Sequence, residues 1–193
     1  LLMVVGLAGA GVLAAVRERL VRERDALRTY ALTDPLTQIA NRRSLLSRAE
    51  YEIERHRRAG RSFALVILDL DGFKRLNDRF GHPAGDSLLR DVASALQRAM
   101  RAQDTVARFG GDEFCLLAPE TDANGTDRLA GRITQAVHGV TVGLETIHAS
   151  LGVALFPFDG SAASELLEVA DQRLLEAKRR LGSGRRAQRR SAA

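Results

Sequence analysis

Residues able to do chemistry stand in two places. Asp69 closes the apolar run Phe63-Ala-Leu-Val-Ile-Leu-Asp69, while Asp112 and Glu113 follow Gly110-Gly111 between two short strand-like runs, 105–109 and 113–117. Carboxylates brought close together repel and resist ionisation unless a cation neutralises them. Mg²⁺ takes oxygen ligands and is commonly held by one or two carboxylates plus substrate phosphates. If the strand ending at Asp69 lies beside the hairpin, acids from distant positions reach one sheet edge, which predicts a two-metal site for nucleotidyl transfer. The plain alternative is a set of acids merely solvated at strand ends and turns.

Periodicity supplies the elements that would position them. Thr33-Asp34-Pro35 ends one helix and opens a second, with Pro in its first turn, running to about Arg58. The run to Asp69 is apolar on both sides, as in a strand buried on both faces. Leu89, Val92, Leu96 and Met100 recur at helical spacing, predicting a helix over 86–100 begun by Asp86. Gly110-Gly111 falls where a hairpin turn needs positive φ. A helix over 124–138, a strand over 147–155 and a helix from about Ser164 to Arg180 complete a β-α-β-β-α-β order. The expected fold is α+β, with an antiparallel-containing sheet and helices on one face.

The 193 residues, 45% hydrophobic, suffice for one core with short extensions. The net charge of +5 is concentrated at the ends, in Arg17, Arg19, Arg22 and Arg24 and in Arg185, Arg186, Arg189 and Arg190. Residues 183–193 read as a basic, disordered tail. A nucleic-acid module would use a basic face with stacking aromatics. With no Trp and two Tyr, nucleic acid is not an expected partner. The single cysteine, Cys115, excludes an internal disulfide and reads as a small buried hydrophobe in a reducing compartment.

Residues 1–16 are uncharged and meet RERLVRER abruptly. They read as the end of a transmembrane helix, a little short of the usual length of about 20 residues, in a longer protein cut within that helix. The arginines after it would place the remainder in the cytoplasm, at a bacterial inner membrane. A signal-peptide core and an ordinary buried helix are the rivals. Leu13, Leu20 and Leu27 recur at heptad spacing, so 17–31 reads as a coiled-coil-like linker helix, the alternative being a solvated linker.

Arg108-Phe109-Gly110-Gly111-Asp112-Glu113-Phe114 resembles, without substitution, the signature of the GGDEF family of diguanylate cyclases. Asp69 to Asp78, then Gly81-His82 and Gly85-Asp86, resemble that family's second block, and Asp34-Pro-Leu-Thr37 with Asn41-Arg42 resembles its leading motif. The similarity covers roughly residues 31–182, so the catalytic domain is drawn as 32–182. The resemblance implies a nucleotidyl-cyclase or palm-like fold. It also implies a reaction in which the 3′-hydroxyl of one GTP attacks the α-phosphate of another, giving cyclic di-GMP and pyrophosphate.

Roles follow from the matched positions. Asp69, the carbonyl of Leu70 and Asp112 match those that hold two Mg²⁺ (or Mn²⁺) ions per active site, with Glu113 assisting, and Asp112 is also the candidate proton acceptor. Gly110 and Gly111 let the backbone approach the nucleotide. Asn77 and Asp86 match guanine-reading positions, since Asn offers donor and acceptor and a carboxylate accepts from N–H groups. Their plain alternatives are a turn residue and a helix N-cap. Lys74 matches a position steadying phosphate charge, the alternative being an exposed lysine. His82 either contacts substrate or builds its loop. Lys178 can reach the triphosphate. Arg108 touches phosphate or pairs with a structural carboxylate.

Each domain of this family holds one GTP, so a homodimer is implied, and the leucine seam would serve that pairing. Arg101-Ala-Gln-Asp104 matches the RxxD inhibitory site for cyclic di-GMP, with Arg132 as a further contact, the alternative being a helix-end salt bridge. Gln38 stands where the family has Gly, Ile39 for Leu, Leu175 for Tyr, and Leu181-Gly182-Ser183 for Gly-Arg-Asn. The rival function is a catalytically silent receptor of cyclic di-GMP, against which the intact signature argues.

Overall fold

A computed structural model describes residues 17–19 and 31–191, with side chains to residue 180. The readings placed on residues 1–16 and on the Leu13, Leu20 and Leu27 seam lie outside the described residues. Among the described residues, no helix is long and apolar enough to cross a membrane.

The elements in order are β1 (Ala40–Asn41), α1 (Arg42–Ala59), β2 (Phe63–Leu70), α2 (Phe73–Phe80), α3 (His82–Ala99), β3 (Thr105–Gly110), β4 (Glu113–Pro119), α4 (Ala123–His138), β5 (Thr141–Val142), β6 (Glu145–Thr146), β7 (Ala149–Phe156) and α5 (Ala163–Ser191). Five strands form one sheet in the order β1-β3-β4-β2-β7, antiparallel except for the parallel β1–β3 pair. The central strand β2 is buried along its whole length, as its unbroken apolar run requires. Alternate residues face opposite ways. Ala64, Val66, Leu68 and Leu70 pack among residues of α3 and α4, whereas Phe63, Leu65 and Ile67 pack among residues of α1 and α5. Helices therefore cover both faces, not one as the sequence reading had it. Burying each Leu or Phe contributes about 1.5–3 kcal/mol, and a strand apolar on both sides gains that only when both sides are covered. Cys115 lies fully buried in the second of these cores, where burial pushes its thiol pKa up.

Local chemistry moved several boundaries. Asp34 does not start a helix. Its Oδ1 accepts from both the backbone N–H (2.9 Å) and the hydroxyl (2.7 Å) of Thr37, closing a tight turn. The helix begins seven residues later, at α1, where Asn41 Oδ1 accepts from Ser44 N–H at 3.0 Å. Gln38, standing where the family has Gly, sits at φ 60°, which explains the family's preference. Asp86 is not an N-cap, because α3 starts four residues earlier with Gly81 as cap and Pro83 in its first turn. The short helix α2 and the small β5–β6 ladder were not foreseen. Helix α5 runs past Arg180, where the sequence reading ended it. Gly182 and Gly184 weaken a helix by about 1 kcal/mol each without breaking it.

Helix α5 reaches the sheet through Gly152 of β7. A Cβ there would stand 1.9 Å from the carbonyl oxygen of Ala170 and 2.6 Å from the nitrogen of Leu174, both helix backbone. Gly152→Ala is accordingly expected to destabilise the domain by about 1–3 kcal/mol, read from the urea midpoint, because neither backbone can yield. A midpoint equal to that of the wild type would show that the contact is slack.

Candidate active site

The register of β2 against β4 sets Asp69 opposite Glu113, and the N–H of Leu70 donates to the carbonyl of Asp112 at 3.3 Å. Three acids from distant positions thus share one end of the sheet, as the sequence predicted. Asp69 is 9% exposed, and Lys178, reaching over from α5, places Nζ 2.7 Å from its Oδ2. The sequence reading had aimed Lys178 at a triphosphate, and here it serves as counter-ion to the buried acid. Burial raises the pKa of Asp69; the Lys178 hydrogen bond opposes this, and the charges of Asp112 and Asp71 add to the rise. Glu113 is raised by burial and then by Asp69 and Asp112.

The donor set fits a hard cation. Acids whose neighbouring charges push the pKa of Asp69 and of Glu113 up, with an ammonium already held against Asp69, mark a place where positive charge is stabilised. Among the described residues the side chains do not by themselves close a group of three or more metal ligands. Mg²⁺ needs only one or two carboxylates when substrate phosphates supply the rest.

The turn carrying Asp112 is held from below. Gly110 (φ 147°) and Gly111 (φ 53°) adopt backbone that a side chain resists, and no atom lies within 4 Å of a Cβ built on either, so the space above the turn is open. Arg108 donates through Nε (3.1 Å) and NH2 (2.8 Å) to the carbonyl of Gly111 and through NH1 (3.1 Å) to Asp34 Oδ1. Of its two alternatives, Arg108 takes the structural carboxylate. Burial pulls the Asp34 pKa up, but hydrogen bonds from Thr37 and Arg108 outweigh it and leave the carboxyl below its ordinary value. The leading motif is therefore tied to the signature turn, assisted by the pairing of Asn41 with Arg108 between β1 and β3. Sequence reasoning missed this link, and it also missed Asp71, which accepts from the Ser150 hydroxyl at 2.8 Å.

Asn77 of α2 packs so closely on α3 that a Cβ at Gly85 would lie 1.9 Å from its Oδ1. That oxygen is buried with no hydrogen-bond partner. An unmet acceptor of this kind costs about 1–3 kcal/mol, so the site is suited to a ligand donor. Asp86, next to Gly85, is exposed, as are Lys74 in the first turn of α2 and His82 at the start of α3. Beside this edge lies a cavity of about 340 Å³ bordered by Leu70–Phe73 and Glu145–His148. Another cavity, of about 590 Å³, is at the other end of the sheet, around His56, Phe156 and Phe158.

Arg101, Asp104 and Arg132 also converge. Asp104 Oδ2 accepts from the Arg101 N–H at 2.8 Å and lies 3.7 Å from Arg132 NH2. The Asp104 side chain is 1% exposed, and its Oδ1 and Arg132 Nε are buried without partners. Burial raises the Asp104 pKa against the pull of Arg101 and Arg132. Arg128, unremarked in the sequence but one helical turn from Arg132, lines the same cleft of about 430 Å³.

The family model described as "Diguanylate cyclase, GGDEF domain" matches residues 31–183. Diguanylate cyclase DgcP of Pseudomonas aeruginosa is 41% identical over 155 residues, 79% of this chain and 23% of DgcP. The bifunctional diguanylate cyclase/cyclic di-GMP phosphodiesterase MucR of the same organism is 42% identical over 163 residues, 82% of this chain and 24% of MucR. This chain thus spans about a quarter of the length of these relatives. The coiled coil and GGDEF domain of DgcB from Caulobacter crescentus, solved with c-di-GMP, superposes with a TM-score of 0.81 at 29% identity, covering 89% of this chain and 93% of that one.

The repulsion at Glu113 has a measurable sign. With its pKa raised on folding, the folded state keeps a proton that the unfolded state has already lost, so stability falls as pH rises through and above the ordinary carboxylate range. In Mg²⁺-free buffer, Glu113→Gln is expected to be more stable than wild type at pH 7, and the gain to vanish below about pH 4, where both states of the wild type are protonated. A gain persisting undiminished in acid would mean that charge is not its cause.

Proposed function

This chain belongs to the GGDEF family of diguanylate cyclases, and from that premise we propose that it condenses two GTP molecules into cyclic di-GMP and pyrophosphate, one GTP per domain, with two domains face to face. The observation that carries this reading is the meeting of Asp69, Asp112 and Glu113 at one sheet end beneath an open glycine turn, with Lys178 supplying a cation. A pair of Mg²⁺ or Mn²⁺ ions held by Asp69, the Leu70 carbonyl, Asp112 and Glu113 would offset charge on the phosphates and on the departing pyrophosphate.

The protein's own groups do the rest. Asn77, with its unmet acceptor, and Asp86 take the N–H groups of guanine. Lys74 steadies the reacting phosphates, His82 borders the substrate, and Lys178 turns to the triphosphate once Asp69 has another partner. Asp112 receives the proton of the attacking 3′-hydroxyl. Product returns to Arg101, Asp104 and Arg132, where the guanidinium groups suit a phosphodiester and the orphan Asp104 Oδ1 suits an N–H of the base, and slows turnover. The remainder of the reading is a homodimer joined through 17–31 and anchored by 1–16 in a bacterial inner membrane, with the domain on the cytoplasmic side.

Incubation of the protein with GTP and Mg²⁺, followed by chromatography of products, tests this directly. Asp112→Asn is expected to lower turnover at least about 100-fold, as loss of a positioned proton acceptor does. Turnover within tenfold of wild type would defeat the mechanism. No product from the wild type, with cyclic di-GMP binding intact, would favour the silent-receptor reading. Arg101→Ala is expected to raise the cyclic di-GMP concentration giving half-inhibition by about tenfold or more, the equivalent of one charge-assisted hydrogen bond. An unmoved inhibition curve would remove the RxxD site from the account.

A further inference from the structure

Outside the nucleotide site, two histidines meet. His138 is the last residue of α4 and His148 precedes β7, and Nδ1 of His148 lies 3.0 Å from Nε2 of His138, with ring centroids 4.7 Å apart and planes crossing at 78°. Both side chains are exposed. One proton therefore lies between two nitrogens supplied by different elements. The backbone on either side is fixed: the Gly139 N–H donates to the Gln135 carbonyl at 3.1 Å, and the His148 carbonyl accepts from the Asp71 N–H at 2.9 Å. The fold, more than the shared proton, sets the spacing of the rings.

We propose that His138 and His148 form a surface site for a transition-metal ion of the Zn²⁺, Ni²⁺ or Cu²⁺ type, which takes the place of the hydrogen bond between them while the ring that donated it carries its proton on its other nitrogen. Imidazole nitrogen suits these metals, whereas Mg²⁺ prefers oxygen, so the site selects against the cation suited to the carboxylate edge. With metal–nitrogen bonds of about 2.05 Å, the 3.0 Å separation corresponds to an N–metal–N angle of about 94°, and a tetrahedral angle needs the nitrogens only about 0.3 Å further apart. Water on the exposed side completes the coordination. The ion would fasten the end of α4 to the segment entering β7. Both the His148 carbonyl and the Ser150 hydroxyl of that segment hold Asp71, two residues beyond Asp69.

Calorimetric titration of the untagged protein with Zn²⁺, and separately with Ni²⁺, in buffer saturated with Mg²⁺ tests the site. Binding is expected in the wild type, with His138→Gln and His148→Gln each weakening it at least about tenfold, a loss produced even by removing a residue behind a metal ligand. The same ions are expected to raise the thermal midpoint of the wild type and of neither variant. Absence of binding in the wild type under Mg²⁺, or equal affinity in both variants, would overturn the proposal. Unfolding curves without transition metal check that the variants, altered only at exposed positions, keep the fold.

Discussion

Asp69 and Glu113 cannot move apart, because the ladder between β2 and β4 holds them opposite one another and the Leu70 N–H fastens the backbone of Asp112 to the same spot. The charges of Asp69 and Asp112 push the pKa of Glu113 up, so the ladder holds these acids together against their repulsion. The apolar length of β2 holds the assembly against this force, with core packed on both faces. Lys178 is brought in because α5 lies down on Gly152. The tight helix–strand contact and the acid cluster are two ends of one arrangement.

Much of this was legible in the sequence, and the exceptions have local causes. The buried strand, the glycine hairpin and the acids at its tip were readable because an unbroken apolar run and a Gly-Gly turn have few other solutions. The start of α1 was misplaced because Asp34 spends its carboxylate on Thr37, a side-chain choice that no periodicity reports. Asp86 reads as a cap because the apolar spacing first shows at Leu89, whereas the first turn is built from His82 and Pro83, and Pro is at ease there. The covering of both sheet faces follows from the composition of β2, and only the assumption of a one-sided sheet concealed it. Arg108 was undecidable because its carboxylate partner lies 74 residues away.

Strand β3 joins the RxxD cleft to the acid cluster. Its first residue follows Asp104 and its last is Gly110 of the turn, so the RxxD cleft and the acid cluster lie at opposite ends of one six-residue strand, about 20 Å long. The strand is paired along its length with β4. One strand pair therefore spans the distance between the cleft containing Arg132 and Arg128 and the turn that presents Asp112.

The tie from Arg108 to Asp34 bears on how the domain can be isolated. A fragment trimmed to begin beyond residue 34 would retain every strand of the sheet and look intact by circular dichroism. It would nevertheless leave a guanidinium beneath the turn without its fixed anion, free to swing away from the carbonyl of Gly111. The boundary of the working unit is thus set by electrostatics a few residues ahead of the boundary set by secondary structure.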